Sequence, residues 1–266
     1  MVDTPILTLP EVVAPPTEEQ LPSDDGIPME TQRHKLQMDF LVDPLSDWLS
    51  KENAFVGGNM FVYFSPQQVK TYDYRGPDVF VVLDVPHRER KSWVVWEEGK
   101  APDVVIELLS ETTAKFDKQE KKTIYQDRLR VPEYFWFDPF NPEDLAGFYL
   151  REGVYETIQA DAPGKLISRQ LNLALVTWSG SFKGVETMWL RWATLEGELL
   201  PTEQEKAEQE HQRAEQEHQQ AAQERQRAEQ ERQRAEQERQ RAEQEHQRAE
   251  RLAQRLRELG INTDEL

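Results

Sequence analysis

Cysteine is absent from this chain of 266 residues, which excludes disulfides and zinc sites built on thiolates. Aromatic residues are absent from Pro201 onward, so that region cannot build a core by itself. No apolar run approaches the roughly 20 residues of a membrane-spanning helix. Positive charge is scarce: 32 Lys and Arg stand against 50 Asp and Glu, a net charge of −18. That sign opposes generic attraction to phosphate backbones, so nucleic-acid chemistry here needs a local basic patch or divalent cations. The opening M-V-D-T-P is acidic and proline-broken, unlike a secretory signal. The expectation is a soluble, cytoplasmic protein without membrane association.

What is present is unevenly distributed. Residues 1–29 hold six prolines and a run of acids, a composition that predicts a disordered arm. Residues 30–200 carry the aromatic residues and predict the folded domain. Residues 201–266 form a charged tail in which alanine recurs every seven residues, from Ala207 to Ala249. Its residues are strong helix formers with opposite charges three and four apart. Each heptad mostly offers one small apolar residue where a coiled coil wants two; only Ala249, Leu252, Leu256 and Leu259 make a seam. A long solvated helix follows, either self-associating near its end or serving as a charged extension.

Within the domain, hydrophobic spacing predicts a helix over Thr31–Val42, then a second short helix capped by Asp43 and opened by Pro44. Gly57-Gly58 reads as a turn, Trp93–Trp96 as a short strand, and Glu152-Gly153 as a hairpin turn. Pro77–Leu83 and Pro102–Ser110 read as apolar strands, each beginning Pro-Asp. A helix capped by Ser110 or Thr112 should run to about Leu129, and Glu133–Phe137 should form an aromatic strand. Leu171–Trp178 is compatible with either strand or helix.

Chemistry gathers around Glu107, which interrupts an apolar strand. A carboxylate there must be paired, bind a metal or shift its pKa. If the two Pro-Asp strands are neighbours, Asp78 and Glu107 converge on an oxygen-lined pocket suited to Mg²⁺. A lysine from the helix that follows would orient or deprotonate water and offset phosphate charge. That assembly suits metal-assisted phosphodiester hydrolysis.

Four segments, G-P-D-V-F-V-V (76–82), A-P-D-V-V-I-E-L-L-S (101–110), D-K-Q-E-K-K-T-I-Y (117–125) and V-P-E-Y-F-W-F-D-P (131–139), resemble in this order the Uma family of restriction-endonuclease-like proteins. More broadly they resemble the PD-(D/E)xK nuclease superfamily. The resemblance implies an α/β restriction-endonuclease-like core, a mixed β-sheet flanked by helices, and a Mg²⁺-dependent endonuclease acting on DNA. It implies Asp78 and Glu107 as metal ligands and catalytic acids. The superfamily lysine would fall at position 109, which is Leu109 here; Lys121 on the next helix takes its place as the catalytic lysine.

Each residue also has a structural reading. Asp78 and Asp103 would serve as strand-start residues, Glu107 as a salt-bridge partner of Lys121, and Lys121 as a solvated helix charge like Lys118 and Lys122. Asp117 would pair with Lys121 or cap the turn, and Glu133 would support the site or only pack. A second function follows from these readings: a catalytically degenerate nuclease-fold scaffold whose heptad helix is the interaction element.

Overall fold

The computed structural model describes residues 14–23, 31–65 and 74–258. The chain divides into two compact units, Met1–Glu203 and Gln204–Leu266. The first is built on a six-stranded sheet. Its strands are β1 (Ala54–Gly58), β4 (Val79–Leu83), β6 (Val104–Leu108), β7 (Glu133–Phe137), β8 (Leu145–Arg151) and β9 (Val154–Thr157), adjacent in that order. Only β6 and β7 run parallel; the other neighbours are antiparallel. Two smaller sheets accompany it. One contains β2 (Val62–Tyr63) between β3 (Tyr74–Arg75) and β5 (Trp93–Val94). The other contains β10 (Lys165–Ser168), β11 (Leu173–Phe182) and β12 (Val185–Ala193). The mixed α/β core and the long terminal helix are therefore both present.

Alternation along the central strands assigns each face a partner. Val79, Val81, Val104, Ile106, Phe135 and Phe137 join Leu41 and Leu45 of helix α1 (Gln32–Trp48) and Leu173, Leu175 and Leu190 of the β10–β12 sheet. The opposite face presents Phe80, Val82, Val105 and Tyr134 to Tyr125 and Leu129. Those two lie on helix α3, the helical run 114–129, which forms the crossover between parallel β6 and β7. A parallel pair requires such a crossover, and it brings α3 back over Glu107.

Several expectations need correction. The helix expected to end at Val42 and the second one expected to open at Pro44 are a single helix that runs to Trp48 with Pro44 inside it. Leu41 and Leu45 are fully buried on either side of that proline, and their packing outweighs the lost hydrogen bond. Thr31 caps the helix by accepting a hydrogen bond from His34 N. Gly57 and Gly58 are strand residues: the ring of Phe80, directly across the ladder, lies 2.4 Å from where a Cβ on Gly57 would stand. Close approach, not a turn, requires that glycine. Trp93–Val94 is a strand, but Val95–Glu98 turns into the short helix α2. The Leu171 segment resolves as strand β11. Glu152 and Gly153 both have positive φ, at 50° and 86°, as the β8–β9 hairpin demands.

The amino-terminal arm is not uniformly disordered. Residues 14–23 lie on the β3-β2-β5 sheet, with Leu21 buried beside Phe61 and Tyr63. Trp96 Nε1 donates to Pro16 O, Tyr63 Oη donates to Pro22 O, and Glu18 accepts from Lys91 N. The remaining arm residues, 1–13 and 24–29, lie outside the described residues.

The second unit is the helix α4 (Glu203–Glu258), 56 residues without a buried side chain. Leu252 of the expected seam is 57% exposed; Leu259 lies outside the described residues. Among the described residues no helix is long and apolar enough to cross a membrane.

Candidate active site

The site lies where β4 begins and β6 ends. Val79 pairs with Ile106, and one step further the antiparallel register sets Asp78 opposite Glu107 on the same face. Asp78 Oδ2 accepts a 2.7 Å hydrogen bond from Leu108 N, and its carboxyl faces that of Glu107 across the ladder. Glu107 is wholly buried. Its Oε1 accepts from Tyr125 Oη at 2.7 Å and its Oε2 lies 2.9 Å from Lys121 Nζ. Lys121 Nζ also stands 2.8 Å from Asp117 Oδ1. The structure thus brings Asp78, Glu107 and Lys121 together. Lys121 keeps 15% of its side-chain surface exposed and Asp78 is half-buried, so the cluster reaches solvent through these two groups.

Helix α3 is wound to serve this arrangement. Asp117, Lys121, Tyr125 and Leu129 are spaced by four, which drifts around an ideal α-helix of 3.6 residues per turn. Here Asp117–Lys121 and Tyr125–Leu129 are π-helical, interleaved with α-helical turns. The looser π winding keeps the four residues on the inward line. Tyr134 Oη donates to Asp117 O inside that stretch.

Three carboxyl groups and one ammonium in a buried space cannot all remain charged at no cost. Burial pushes Glu107 up to about 8, helped by the neighbouring Asp78 and Asp117 and opposed by Lys121. Asp78 rises too, chiefly through burial. For Lys121 burial favours the neutral amine, but Glu107, Asp117 and Asp78 outweigh it and hold the ammonium above its ordinary range. Tyr125 is pushed up by burial and by Glu107, so it stays a neutral donor.

Among the described residues no three His, Asp or Glu side chains form a preformed cage for a metal. The donor set nevertheless fits Mg²⁺, which is held through one or two carboxylates while keeping several waters. Asp78 uses one oxygen on Leu108 N. Asp117 Oδ1, though close to Lys121, is buried without a well-directed hydrogen bond, the kind of lone pair a hard cation or its water satisfies.

Other singled-out residues fall elsewhere. Asp103 accepts from Leu83 N and pairs with Lys100 at 2.8 Å, so it is a strand-end residue. Glu133 is buried and tied to the turn after β10, accepting from Ser168 Oγ, Arg169 N and Gln170 N. Lys118 and Lys122 are not simply solvated: Lys118 pairs with Asp144, and Lys122 Nζ lies 3.4 Å from the centre of the Phe148 ring. Leu109 is fully buried, with its N bonded to Phe137 O. His34 is buried between Thr31 and the carbonyl of Leu109. The sequence reading missed Tyr125 as a partner of Glu107; its spacing of eight from Asp117 was the available signal.

A mixed α/β domain with paired acids on adjacent strands and a lysine on the crossover helix is thus defined. The family Uma2, described as "Putative restriction endonuclease", matches residues 16–179. The chain belongs to this family. Among solved structures it is similar to a "putative nuclease belonging to DUF820" from Anabaena variabilis, with 18% identity and a TM-score of 0.40, covering 59% of this chain and 91% of that one. No curated protein matches it.

Proposed function

We propose that this protein is a Mg²⁺-dependent endonuclease that hydrolyses DNA phosphodiester bonds at Asp78, Glu107 and Lys121. One observation carries the reading: two acids from adjacent strands face each other across the ladder, and the lysine of the following helix stands 2.9 Å from one of them. Asp78 and Glu107 would hold the cation, which when bound supplies charge neutralisation and activation of the attacking water. Tyr125 fixes Glu107, and Asp117 positions Lys121. A dication beside Lys121 would offset the carboxylate field that retains its proton, readying the amine to exchange protons with the attacking water. The family's description and the soluble-type composition agree with a nucleic-acid substrate met in the cytoplasm.

The test is cleavage of supercoiled plasmid and single-stranded DNA with Mg²⁺, comparing the wild type with Glu107→Ala. Metal-dependent cutting that survives this change unaltered rejects the assignment.

A second reading is favoured by the burial of Glu107 and its complete pairing with Lys121 and Tyr125. In it the trio is a structural network and α4, whose Leu252 is exposed, is the self-associating or partner-binding element. Truncation at Pro201 separates the readings. A nuclease keeps cutting; a scaffold shows no cutting in either form, and its sedimentation depends on the removed helix.

A further inference from the structure

Arg75 stands three residues before Asp78, on β3. The pairing Val62↔Arg75 places its side chain on the same face as Val62. Val62 packs in the cluster that contains Tyr125, the hydrogen-bond partner of Glu107. The Arg75 guanidinium is underused. One terminal nitrogen donates to the adjacent Tyr74 O at 2.6 Å, and Nε is buried without a hydrogen-bond partner among the described residues. Among the described residues it forms no ion pair, although three carboxyl groups gather around Lys121 in the site.

An arginine fork matches phosphate oxygens, and a buried N–H does not stay unsatisfied without reason. The surroundings suit a nucleic-acid strand. Phe64 follows Val62 by two residues, so an extended chain keeps it on the same face, and the Arg128 guanidinium lies 4.7 Å from the centre of its ring. Phe64 and Arg128 thus add an aromatic ring and a second guanidinium to the face that carries Arg75, in a chain whose net charge is −18. Arginines along a backbone path and an aromatic face for a base are the two elements of single-strand binding.

We propose that Arg75 is a phosphate-binding residue of this site, gripping the backbone of the nucleic-acid strand beside the reacting phosphodiester while Phe64 and Arg128 continue the strand's path. This rests on the nuclease reading and supplies the local basic group that the overall charge denies it.

The experiment measures binding of a fluorescein-labelled single-stranded oligonucleotide to the full chain by anisotropy over a salt series, with Ca²⁺ replacing Mg²⁺. Wild type, Arg75→Ala, Arg75→Lys and the charge-matched control Arg151→Ala are compared, each checked for folding by thermal unfolding. Loss of one phosphate contact should lower the slope of log affinity against log salt by about one in Arg75→Ala. Arg75→Lys should restore that slope, and Arg151→Ala, on the β8–β9 hairpin, should leave it unchanged. Slopes that are equal in Arg75→Ala and Arg151→Ala overturn the proposal while leaving cleavage by the wild type intact. A wild type that binds no oligonucleotide overturns both this proposal and the nuclease reading. Binding that depends on Arg75 without any cleavage under Mg²⁺ supports Arg75 and removes only the hydrolysis.

Discussion

The two ends of the β4–β6 ladder begin with the same dipeptide and finish differently. At one end Asp103 accepts a 2.7 Å hydrogen bond from Leu83 N, and at the other Asp78 accepts one of the same length from Leu108 N. Each aspartate closes the far end of its neighbour strand. What separates them is the residue across the ladder. The register extends to put Val82 opposite Asp103, whereas Glu107 faces Asp78. Asp103 therefore needs only Lys100, three residues away. Asp78 shares its space with Glu107, Asp117 and Lys121. A strand-closing carboxylate becomes part of a candidate metal site when a second carboxylate is set against it, so the pair, not the Pro-Asp motif, is the candidate for chemistry.

The largest effect should come from neutralising one aspartate at a time. Asn keeps an oxygen that can accept the strand-end hydrogen bond. Asp78→Asn should therefore stay folded yet lose Mg²⁺-dependent cleavage by about a hundredfold or more, the scale on which a positioned catalytic group acts. Asp103→Asn should cleave like the wild type. Equal losses in plasmid-nicking rate would abolish the distinction between the two ends.

Next in size is the ion pair itself. Lys121→Met leaves Glu107 and Asp117 buried without their cation, which should cost about 3–5 kcal/mol of stability near pH 8. Adding Glu107→Gln should recover part of that loss, because the two changes act on one network. Urea denaturation of the single and double variants measures the coupling; strict additivity would mean that the pair contributes nothing as a pair.

The same network should make the metal-free protein sensitive to pH. Folding raises Glu107 to about 8 from an ordinary value of 4.5, mainly through burial, and raises Asp78 as well. The folded state then binds protons more tightly than the unfolded chain. Its stabilisation is complete below about pH 4.5 and drains away as pH rises towards 8. Lys121, held above its ordinary value by the carboxylates, loses its proton only at higher pH and adds nothing within that window. Thermal midpoints in EDTA should fall between pH 5 and 8, and Glu107→Gln should flatten the fall.

The acids of this site were legible because β-strand alternation is strict: an acid inside an apolar strand has nowhere to hide, and the family order of segments supplied its partner. The mixed sheet was implied by the resemblance to the family, not by the alternation. What escaped was set by packing. Pro44 looked like a helix start because local propensity cannot see Leu41 and Leu45 held on both sides of it. Gly57 looked like a turn because the ring of Phe80 is invisible in one dimension. Tyr125 and Asp117 align with Lys121 only because α3 contains π turns, and no α-helical period describes that face. Residues 14–23 adhere to the domain through backbone carbonyls and Glu18, contacts that composition cannot announce.

The smallest effect is the most discriminating, because its sign opposes the functional ranking. Alanine at either aspartate leaves a strand-end N–H without its acceptor, a loss of about 1–3 kcal/mol when buried. At Asp103 nothing offsets that loss, since the facing residue is Val82 and Lys100 loses its carboxylate partner, keeping only its hydrogen bond to Leu83 O. At Asp78 the same change also removes a negative charge from beside Glu107 and Asp117, two acids that already crowd it. Relief of that repulsion should repay part or all of the lost hydrogen bond. In metal-free buffer near pH 8, Asp78→Ala should therefore unfold at a higher urea concentration than Asp103→Ala, despite being the variant expected to lose cleavage. Residues that hold a functional constellation together are commonly less than optimal for stability. If Asp78→Ala is instead the less stable of the two, the crowding at this end is structural pairing, and the two ends of the ladder differ in composition but not in purpose.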